Sequence, residues 1–182
     1  MRMKTFLVSA IVLIAFCGTA LAQENAPRAE IFGGYSYMRT ADGANTNGWN
    51  LTPTYYFNTW LGLAGNLAGH YQTQPSSAAA YTFFAGPQIA HSAGKITGFG
   101  HVFIGGAHVG DQFDLISGGV RGGHNGFAMA FGGGVDVSVA KKIAVRVVQV
   151  DYERIWVKNP STFQNAGTNN VRLSFGIVLK TK

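Results

Sequence analysis

Hydrophobic and polar positions alternate strictly between residues 127 and 139. The odd positions are bulky and apolar apart from one glycine, and the even positions are small or polar, with Asp136 the only charged residue. Because successive side chains point to opposite faces in an extended chain, this period of two predicts a β-strand. Its 13 residues exceed the usual ~5–6 of a soluble strand and suit a membrane-crossing strand of about 9–11. Small residues suit the interior of a narrow barrel, and bulky apolar residues suit lipid.

Similar alternation recurs along the rest of the chain. We therefore predict an all-β protein, an eight-stranded antiparallel up-and-down transmembrane β-barrel. The predicted strands span residues 29–39, 48–57, 60–71, 80–90, 98–109, 127–139, 143–154 and 171–180. The sheet is expected to close on itself, because an unpaired strand edge in hydrocarbon costs several kcal/mol per backbone group.

The predicted connections alternate between long and short. This asymmetry is typical of outer-membrane barrels, whose periplasmic turns are short and whose extracellular loops are longer. The predicted long loops are residues 40–47, 72–79, 110–125 and 155–170, and the predicted short turns are residues 58–59, 91–97 and 140–142. Surface specificity, where the protein has any, is expected in the four long loops.

Two strands depart from simple alternation. Pro53 cannot donate a hydrogen bond to a ladder, so we expect a local bulge at this position. Between residues 98 and 109 both faces carry large apolar side chains, so the pattern alone leaves the orientation open. We expect Phe99 and Phe103 to point outward.

Residues 1–22 have the features of an export signal. They begin with Arg2 and Lys4, continue with an apolar run and end in a small-x-small pattern. The run is shorter than the ~20 residues that a spanning helix requires, so we predict a cleaved secretory signal peptide rather than an anchor. One barrel domain, residues 23–182, would follow it. The only cysteine, Cys17, would leave with the signal, and the mature chain would then have no thiol.

The composition agrees with a protein whose outer surface is not all in water. Only 12% of the residues are charged, against about 25% in soluble domains. Loss of the signal would leave 12 Lys and Arg residues against 8 acidic ones, which lowers the formal net charge from +6 to +4. The charges are scattered, without a basic stripe, so we expect no nucleic-acid partner. The positive balance favours contact with anionic lipid head groups.

Five short runs resemble the porin-family outer-membrane β-barrel domain, a group akin to the transmembrane domain of outer membrane protein A. The runs are residues 31–37 (IFGGYSY), 60–63 (WLGL), 105–108 (GGAH), 132–136 (GGGVD) and 148–152 (VQVDY). The resemblance covers essentially all of the predicted mature chain. It implies an integral protein of the cell outer membrane, delivered by the barrel-assembly machinery and in contact with outer-membrane lipids, including lipopolysaccharide.

Four charged residues are candidates for a polar cluster in the lumen: Asp136, Arg146, Asp151 and Arg172. Buried charges require partners, and Asp136 and Arg146 flank one predicted turn. Arg146 is at an even position, whereas the polar face of its strand, which includes Asp151, occupies odd positions. Either a bulge near Val147 and Val148 turns it inward, which we favour, or it extends outward to the head groups. An eight-stranded barrel is just wide enough to be filled by side chains, so we expect a sealed lumen and no large pore.

Three histidines, His70, His108 and His124, are predicted at the extracellular rim without an assigned role. Histidine suits metal binding and acid–base chemistry. The chain has no His-x-x-x-His pair and no His/Cys cluster, however, so we expect no metal, cofactor or catalytic site there.

A structural or surface-interaction role is therefore favoured over an enzymatic one. The first alternative is a lipid-A-modifying outer-membrane enzyme, which would need a Ser or Asp beside a His that faces the membrane leaflet. The second alternative is a soluble lipocalin-like ligand-binding barrel, in which the bulky apolar residues would face the interior.

Overall fold

The computed structural model describes residues 28–41, 43–72, 78–111, 124–158 and 165–181. They form eight strands: β1 (Ala29–Thr40), β2 (Asn45–Tyr56), β3 (Leu61–Gln72), β4 (Ala78–Ala93), β5 (Ile96–Asp111), β6 (His124–Ala140), β7 (Ile143–Lys158) and β8 (Asn165–Thr181). Each strand pairs antiparallel with the next, and β8 pairs with β1 to close a barrel. The predicted eight-stranded antiparallel barrel is confirmed, whereas the predicted signal, residues 1–22, lies outside the described residues.

No stretch of these described residues forms a helix long and apolar enough to cross a membrane.

Three connections and both ends of the strand series meet at one end of the barrel, called here the short-turn end. Gly94 has φ of 61° in the turn between β4 and β5, a conformation that glycine adopts at little cost. Asn58 Oδ1 accepts hydrogen bonds from the backbone N of Trp60 (3.0 Å) and Leu61 (2.7 Å) in the connection from β2 to β3. The opposite end is called the long-loop end.

Strand bounds differ from the prediction mainly at the long-loop end. β8 begins at residue 165 rather than 171, and β7 continues to residue 158 rather than 154. The predicted long loop at 40–47 is wrong, because only residues 41–44 separate β1 from β2. At the short-turn end the predicted turn at 91–97 is also too long, because only Gly94 and Lys95 separate β4 from β5. The residues added to β2 (45–47) and to β8 (165–170) are small or polar at both odd and even positions, so alternation does not reveal the strand there.

The predicted bulge at Pro53 is also wrong. Leu51 pairs with Leu67 and Thr54 with Ala64, so the register between β2 and β3 is the same on both sides of the proline. Pro53 itself lies opposite Ile31 of β1. The ladder with β3 is interrupted at the proline without an inserted residue. This interruption accommodates the missing backbone N–H of proline as well as a bulge would.

The two faces of the sheet have the predicted polarity. Phe127, Phe131 and Phe175 are each more than half exposed on the outer face, at 53%, 57% and 56%. Asp136 and Arg172 are buried in the interior, at 2% and 0% exposure. This polarity is the reverse of that expected for a soluble lipocalin-like barrel.

The expected outward orientation of Phe99 and Phe103 is wrong. Both rings are buried in the lumen, while Val102 and Ile104 face outward. Phe99 has room there because Gly134 has no side chain: a Cβ at Gly134 would lie 2.8 Å from the Phe99 ring. The glycines of β6 therefore admit large side chains from β5 into a narrow interior.

Aromatic side chains form an outward-facing girdle near the long-loop end. Trp49 Nε1 donates to the hydroxyl of Tyr71 (3.2 Å), and the ring centroids of Tyr71 and Tyr81 lie 5.9 Å apart. On the other side of the barrel, Phe127 packs on Trp156 with centroids 5.5 Å apart. Such girdles are typical of the interfaces of membrane barrels.

Candidate functional site: the polar lumen and its rim

Asp136 and Arg146 form an ion pair in the lumen. They are paired residues of β6 and β7. Arg146 Nε donates to Asp136 Oδ1 (2.8 Å) and Nη2 to Oδ2 (3.0 Å), a fork that matches both carboxylate oxygens. The guanidinium lies between the rings of Phe32 and Phe99, with its Cζ 4.2 and 3.9 Å from the ring centroids. Cation–π contact on both faces leaves the guanidinium edge free for hydrogen bonds.

A β-bulge brings Arg146 inward, as the favoured interpretation predicted. The register of β7 against β8 shifts between Arg146 and Gln149. Val147 and Val148 both face outward, at 57% and 41% exposure, whereas Arg146 and Gln149 are both buried. The extra residue thus reverses which positions of β7 point inward, so the side chains of Arg146 and Gln149 both lie in the lumen rather than in lipid.

The pair is the first part of a continuous hydrogen-bonded chain. Arg146 Nη1 donates to Gln149 Oε1 (2.7 Å), and Gln149 Nε2 donates to Asp151 Oδ2 (2.7 Å). Arg172 donates to the same Asp151 oxygen through Nε (3.0 Å) and Nη2 (2.7 Å). All four predicted cluster residues are therefore linked, through a glutamine that the sequence analysis did not include.

Arg172 lies at the centre of the lumen. Its Nη1 is 2.7 Å from Glu153 Oε1 in an ion pair and donates to Asn66 Oδ1 (3.2 Å) on the opposite wall. The side chains of Arg172, Glu153 and Asp151 are wholly shielded from solvent. One guanidinium therefore compensates two buried carboxylates and bridges β7 to β3, so it stabilises the closed cross-section of the barrel.

His101 is a lumen residue that sequence reasoning missed. Its Nε2 lies 2.9 Å from Asp151 Oδ1, and its ring stacks on Phe103 with centroids 4.1 Å apart. A Cβ at Gly132 would lie 2.3 Å from the same Asp151 oxygen, so this glycine makes room for the contact. The only sequence signal was that His101 shares the face of Phe99, whose orientation the pattern left open.

A neutral network lines the wall opposite the charged chain. Asn66 Nδ2 donates to Asn50 Oδ1 (2.6 Å) and to Thr52 Oγ1 (2.7 Å). Asn50 Nδ2 in turn donates to Ser174 Oγ (3.2 Å), and Ser174 Oγ donates to Ser36 Oγ (3.1 Å). Hydroxyl and amide groups on four strands thus satisfy one another, as buried polar groups must.

His70 belongs to this network and is not a rim residue, so that prediction is wrong. The side chain is fully buried, and its Nε2 lies 2.9 Å from Ser36 Oγ. It occupies an inward position of β3, in line with Asn66, and the barrel wall continues beyond it toward the long loops. β3 ends at Gln72, close to the predicted end at residue 71, so the prediction failed on burial rather than on strand length: the side chain lies inside the lumen against Ser36.

His108 is at the long-loop rim as predicted. It lies near the end of β5, and its Nδ1 is 2.7 Å from Asn125 Oδ1 of β6. The side chain of His124 lies outside the described residues, although its backbone begins β6 opposite Val109. Within the described part of the chain, no three His, Cys, Asp or Glu residues are grouped in a way that could hold a metal ion.

A third polar group closes the short-turn end. The hydroxyl of Tyr56 donates to Glu30 Oε2 (3.2 Å) and accepts from Gln88 Nε2 (2.8 Å). Lys180 Nζ lies 3.6 Å from Glu30 Oε1. Interdigitated charged, polar and aromatic side chains therefore occupy the lumen along the described strands, and this arrangement can stabilise the barrel and obstruct passage through it.

Comparisons with known proteins agree on the fold. No protein-family model matches the chain, and no curated protein matches it. Neisserial surface protein A is similar in structure, with a TM-score of 0.70 and 14% identity over 86% of this chain and 99% of that one. Ail of Yersinia pestis gives a TM-score of 0.51 and 17% identity over 85% of this chain and 100% of that one.

The outer membrane enzyme PagL is also similar, with a TM-score of 0.52 and 13% identity over 82% of this chain and 98% of that one. At these identities the likeness concerns the fold alone. The chain therefore has the fold of small eight-stranded outer-membrane barrels, a fold that non-enzymes and an enzyme share.

Proposed function

We propose that this protein spans the bacterial outer membrane as a sealed barrel with a structural or surface-interaction role, and that it is neither a large pore nor an enzyme. The observation that carries the proposal is the polarity of the sheet. Large apolar side chains such as Phe131 and Phe175 are exposed around the barrel, while ion pairs such as Asp136–Arg146 are buried inside. Only a surrounding hydrocarbon solvent makes this distribution favourable.

The long-loop end is the part that we propose faces outward from the cell, with delivery through a signal peptide and the barrel-assembly machinery. Outer-membrane barrels have their shorter turns in the periplasm. An even number of strands leaves both ends of the strand series on that side, at Ala29 and Thr181. Partners at the cell surface would then meet the connections that follow β3, β5 and β7.

Membrane fractionation with heat-modifiability on gels tests the location. A folded barrel resists detergent until boiled, so the unboiled protein is expected to migrate differently from the boiled one. The protein is expected in the outer-membrane fraction and to require detergent for solubility. Recovery of a soluble, heat-insensitive protein would contradict the proposal.

Conductance in planar bilayers tests the sealed lumen. With Phe32, Phe103 and Arg172 buried across the interior, we expect no large, stable channels. The control is a variant that empties the interior, Phe103→Ala with Arg172→Ala, which is expected to raise conductance. Wide-pore conductance of the unmodified protein would contradict a sealed lumen.

A second candidate function, lipid modification, rests on the outward imidazole near the long-loop end. His108 has Asn125 as an orienting partner, an arrangement that a general base requires. Its described neighbours on the same face are Tyr81, its paired residue on β4, and glycines of β5. No Ser, Thr or Cys is therefore next to it among these described residues. Lipid A profiles from cells that carry His108→Ala should match those of the unmodified protein. A modification lost only in this variant, with His70→Ala as the control for folding, would favour the enzyme.

A further inference from the structure

The charges of the described residues are segregated between the two faces of the barrel. All four carboxylate side chains that the structure describes are buried in the lumen: Glu30, Asp136, Asp151 and Glu153. The exposed cationic side chains lie outside or at the turns: Arg28, Arg39, Lys95, Lys141, Lys142 and Arg154. Among the side chains that the structure describes, those on the outer surface therefore include cationic groups and no carboxylate, a distribution that attracts anions.

Two of these cations lie close together at the long-loop rim. Arg39 of β1 pairs with Val171 of β8, and Arg154 of β7 pairs with Asn169 of the same strand. With strands ~4.8 Å apart and ~3.4 Å per residue along a strand, the two arginine Cα atoms are about 10–12 Å from each other. Both side chains are exposed, and so is that of Asn169, which belongs to the strand between β7 and β1 and pairs with Arg154. The three residues form a patch that we call the arginine patch.

The arginine patch lies in the aromatic girdle, where the apolar belt ends. Arg154 Cζ lies 5.2 Å from the ring centroid of Trp156, a contact that orients the guanidinium along the barrel surface. Below the patch, toward the short-turn end, Leu173 and Phe175 of β8 are exposed and apolar. A ligand that fits this surface has anionic groups at the level of the girdle and hydrocarbon chains beneath them.

We propose that the arginine patch binds a glycolipid of the outer leaflet that carries two phosphate groups on a sugar disaccharide. Each guanidinium offers a fork of N–H donors that matches two phosphate oxygens. Two separated arginines suit two separated phosphates better than they suit the single phosphate of a glycerophospholipid. The acyl chains would lie along the exposed apolar side chains of β8. This inference rests on the proposed location in the outer membrane.

Binding to the purified, folded full chain in mixed micelles tests the proposal. The probes are diphosphoryl lipid A, monophosphoryl lipid A, phosphatidylglycerol and phosphatidylcholine. The test variant is Arg39→Gln with Arg154→Gln. The matched control, Lys95→Gln with Lys141→Gln, removes the same charge from the short-turn end.

For diphosphoryl lipid A we expect the affinity of the test variant to fall about 30-fold, since each basic residue at a membrane surface contributes ~1 kcal/mol and tenfold corresponds to ~1.4 kcal/mol. The control should stay within about threefold of the unmodified protein, and each single substitution, Arg39→Gln or Arg154→Gln, should lose about fivefold on the same scale. Monophosphoryl lipid A should bind the unmodified protein more weakly.

Three outcomes would overturn the inference. The first is a test variant that binds as tightly as the unmodified protein. The second is an equal loss of affinity in both double variants, which indicates general charge attraction. The third is phosphatidylglycerol binding as tight as that of diphosphoryl lipid A. Heat-modifiability of every variant is measured first. Failure of the unmodified chain to form a detergent-resistant barrel contradicts the proposed location, whereas a folded barrel with arginine-independent binding contradicts only the arginine patch.

Discussion

Two neighbouring residues of one strand show how different the lumen and the outer face of this barrel are as environments. Arg172 and Leu173 are consecutive in β8, yet the first is fully buried among carboxylates and the second is 42% exposed on the outer face. On the outer face a side chain needs only to be apolar, because hydrocarbon makes no directional demands. In the lumen each polar group needs a specific partner at hydrogen-bond distance. Substitutions should therefore be costly inside and tolerated outside, provided the outer residue stays apolar.

The largest effect is expected from Arg172→Met, which keeps most of the volume and removes the charge. It leaves Asp151 and Glu153 buried without their cation, so the free energy of unfolding should fall by about 3–5 kcal/mol. Urea unfolding in zwitterionic vesicles measures it. Arg154→Met on the outer face is the control and should cost less than ~1 kcal/mol. Adding Asp151→Asn and Glu153→Gln should recover part of the loss; no recovery would mean that packing rather than charge dominates.

A charge placed on the outer face should have the next largest effect. Phe175 is 56% exposed near the middle of β8, so Phe175→Arg should cost about 2–4 kcal/mol in vesicles. Phe175→Leu keeps the surface apolar and should cost far less. Equal stability of the two variants would show that this face does not contact hydrocarbon.

Substituting two adjacent glycines, one on each face, should cost less stability and should differ clearly between the lumen and the outer face. A Cβ at Gly34 would lie 2.2 Å from the backbone O of Phe175, whereas the nearest atom to a Cβ at Gly33 is 3.9 Å away. Gly34→Ala should therefore destabilise by about 1–3 kcal/mol, because the lumen wall must shift. Gly33→Ala should be neutral within ~0.5 kcal/mol. The same urea titration compares them, and equal values would contradict the difference in space.

Removing one tyrosine hydroxyl on each face is expected to have effects no larger than those of the two glycine substitutions. Tyr56 bridges Glu30 and Gln88 in the lumen, so Tyr56→Phe leaves buried partners and should cost about 1–3 kcal/mol. Tyr37 donates to Asn45 at the rim (2.6 Å), where water can replace the bond, so Tyr37→Phe should cost less than ~0.5 kcal/mol. A larger loss at Tyr37 would indicate that the rim is drier than its exposure suggests.

Local patterns were sufficient for much of the architecture. The alternation from Phe127 to Val139 predicted β6, and the same period predicted all eight strands and, except in β5, their outward faces. The pair Asp136–Arg146 was also predictable, because a two-residue turn joins their strands and the parity conflict in β7 indicated a bulge. These features depend on residues that are close in sequence.

Other features were not predictable from local pattern. Phe99, His101 and Phe103 share one face of a strand whose two faces are almost equally apolar, so alternation could not orient them. Their inward position follows from the small residues of β6 opposite them, Gly134, Gly132 and Ala130, and from the carboxylate of Asp151. The burial of His70 was similarly not visible in a local pattern, because its partner Ser36 is 34 residues away in sequence.

The amino-acid sequence by itself therefore determined the strands, their number and, in every strand but β5, the outward apolar face, because a period of two is a property of adjacent residues. Only the tertiary structure decided which polar groups meet across the lumen. Arg172 and Asn66 are 106 residues apart in sequence and meet on opposite walls. Such contacts depend on the stagger of all eight strands and on the pairing of β1 with β8 that closes the barrel, and no local pattern specifies that closure.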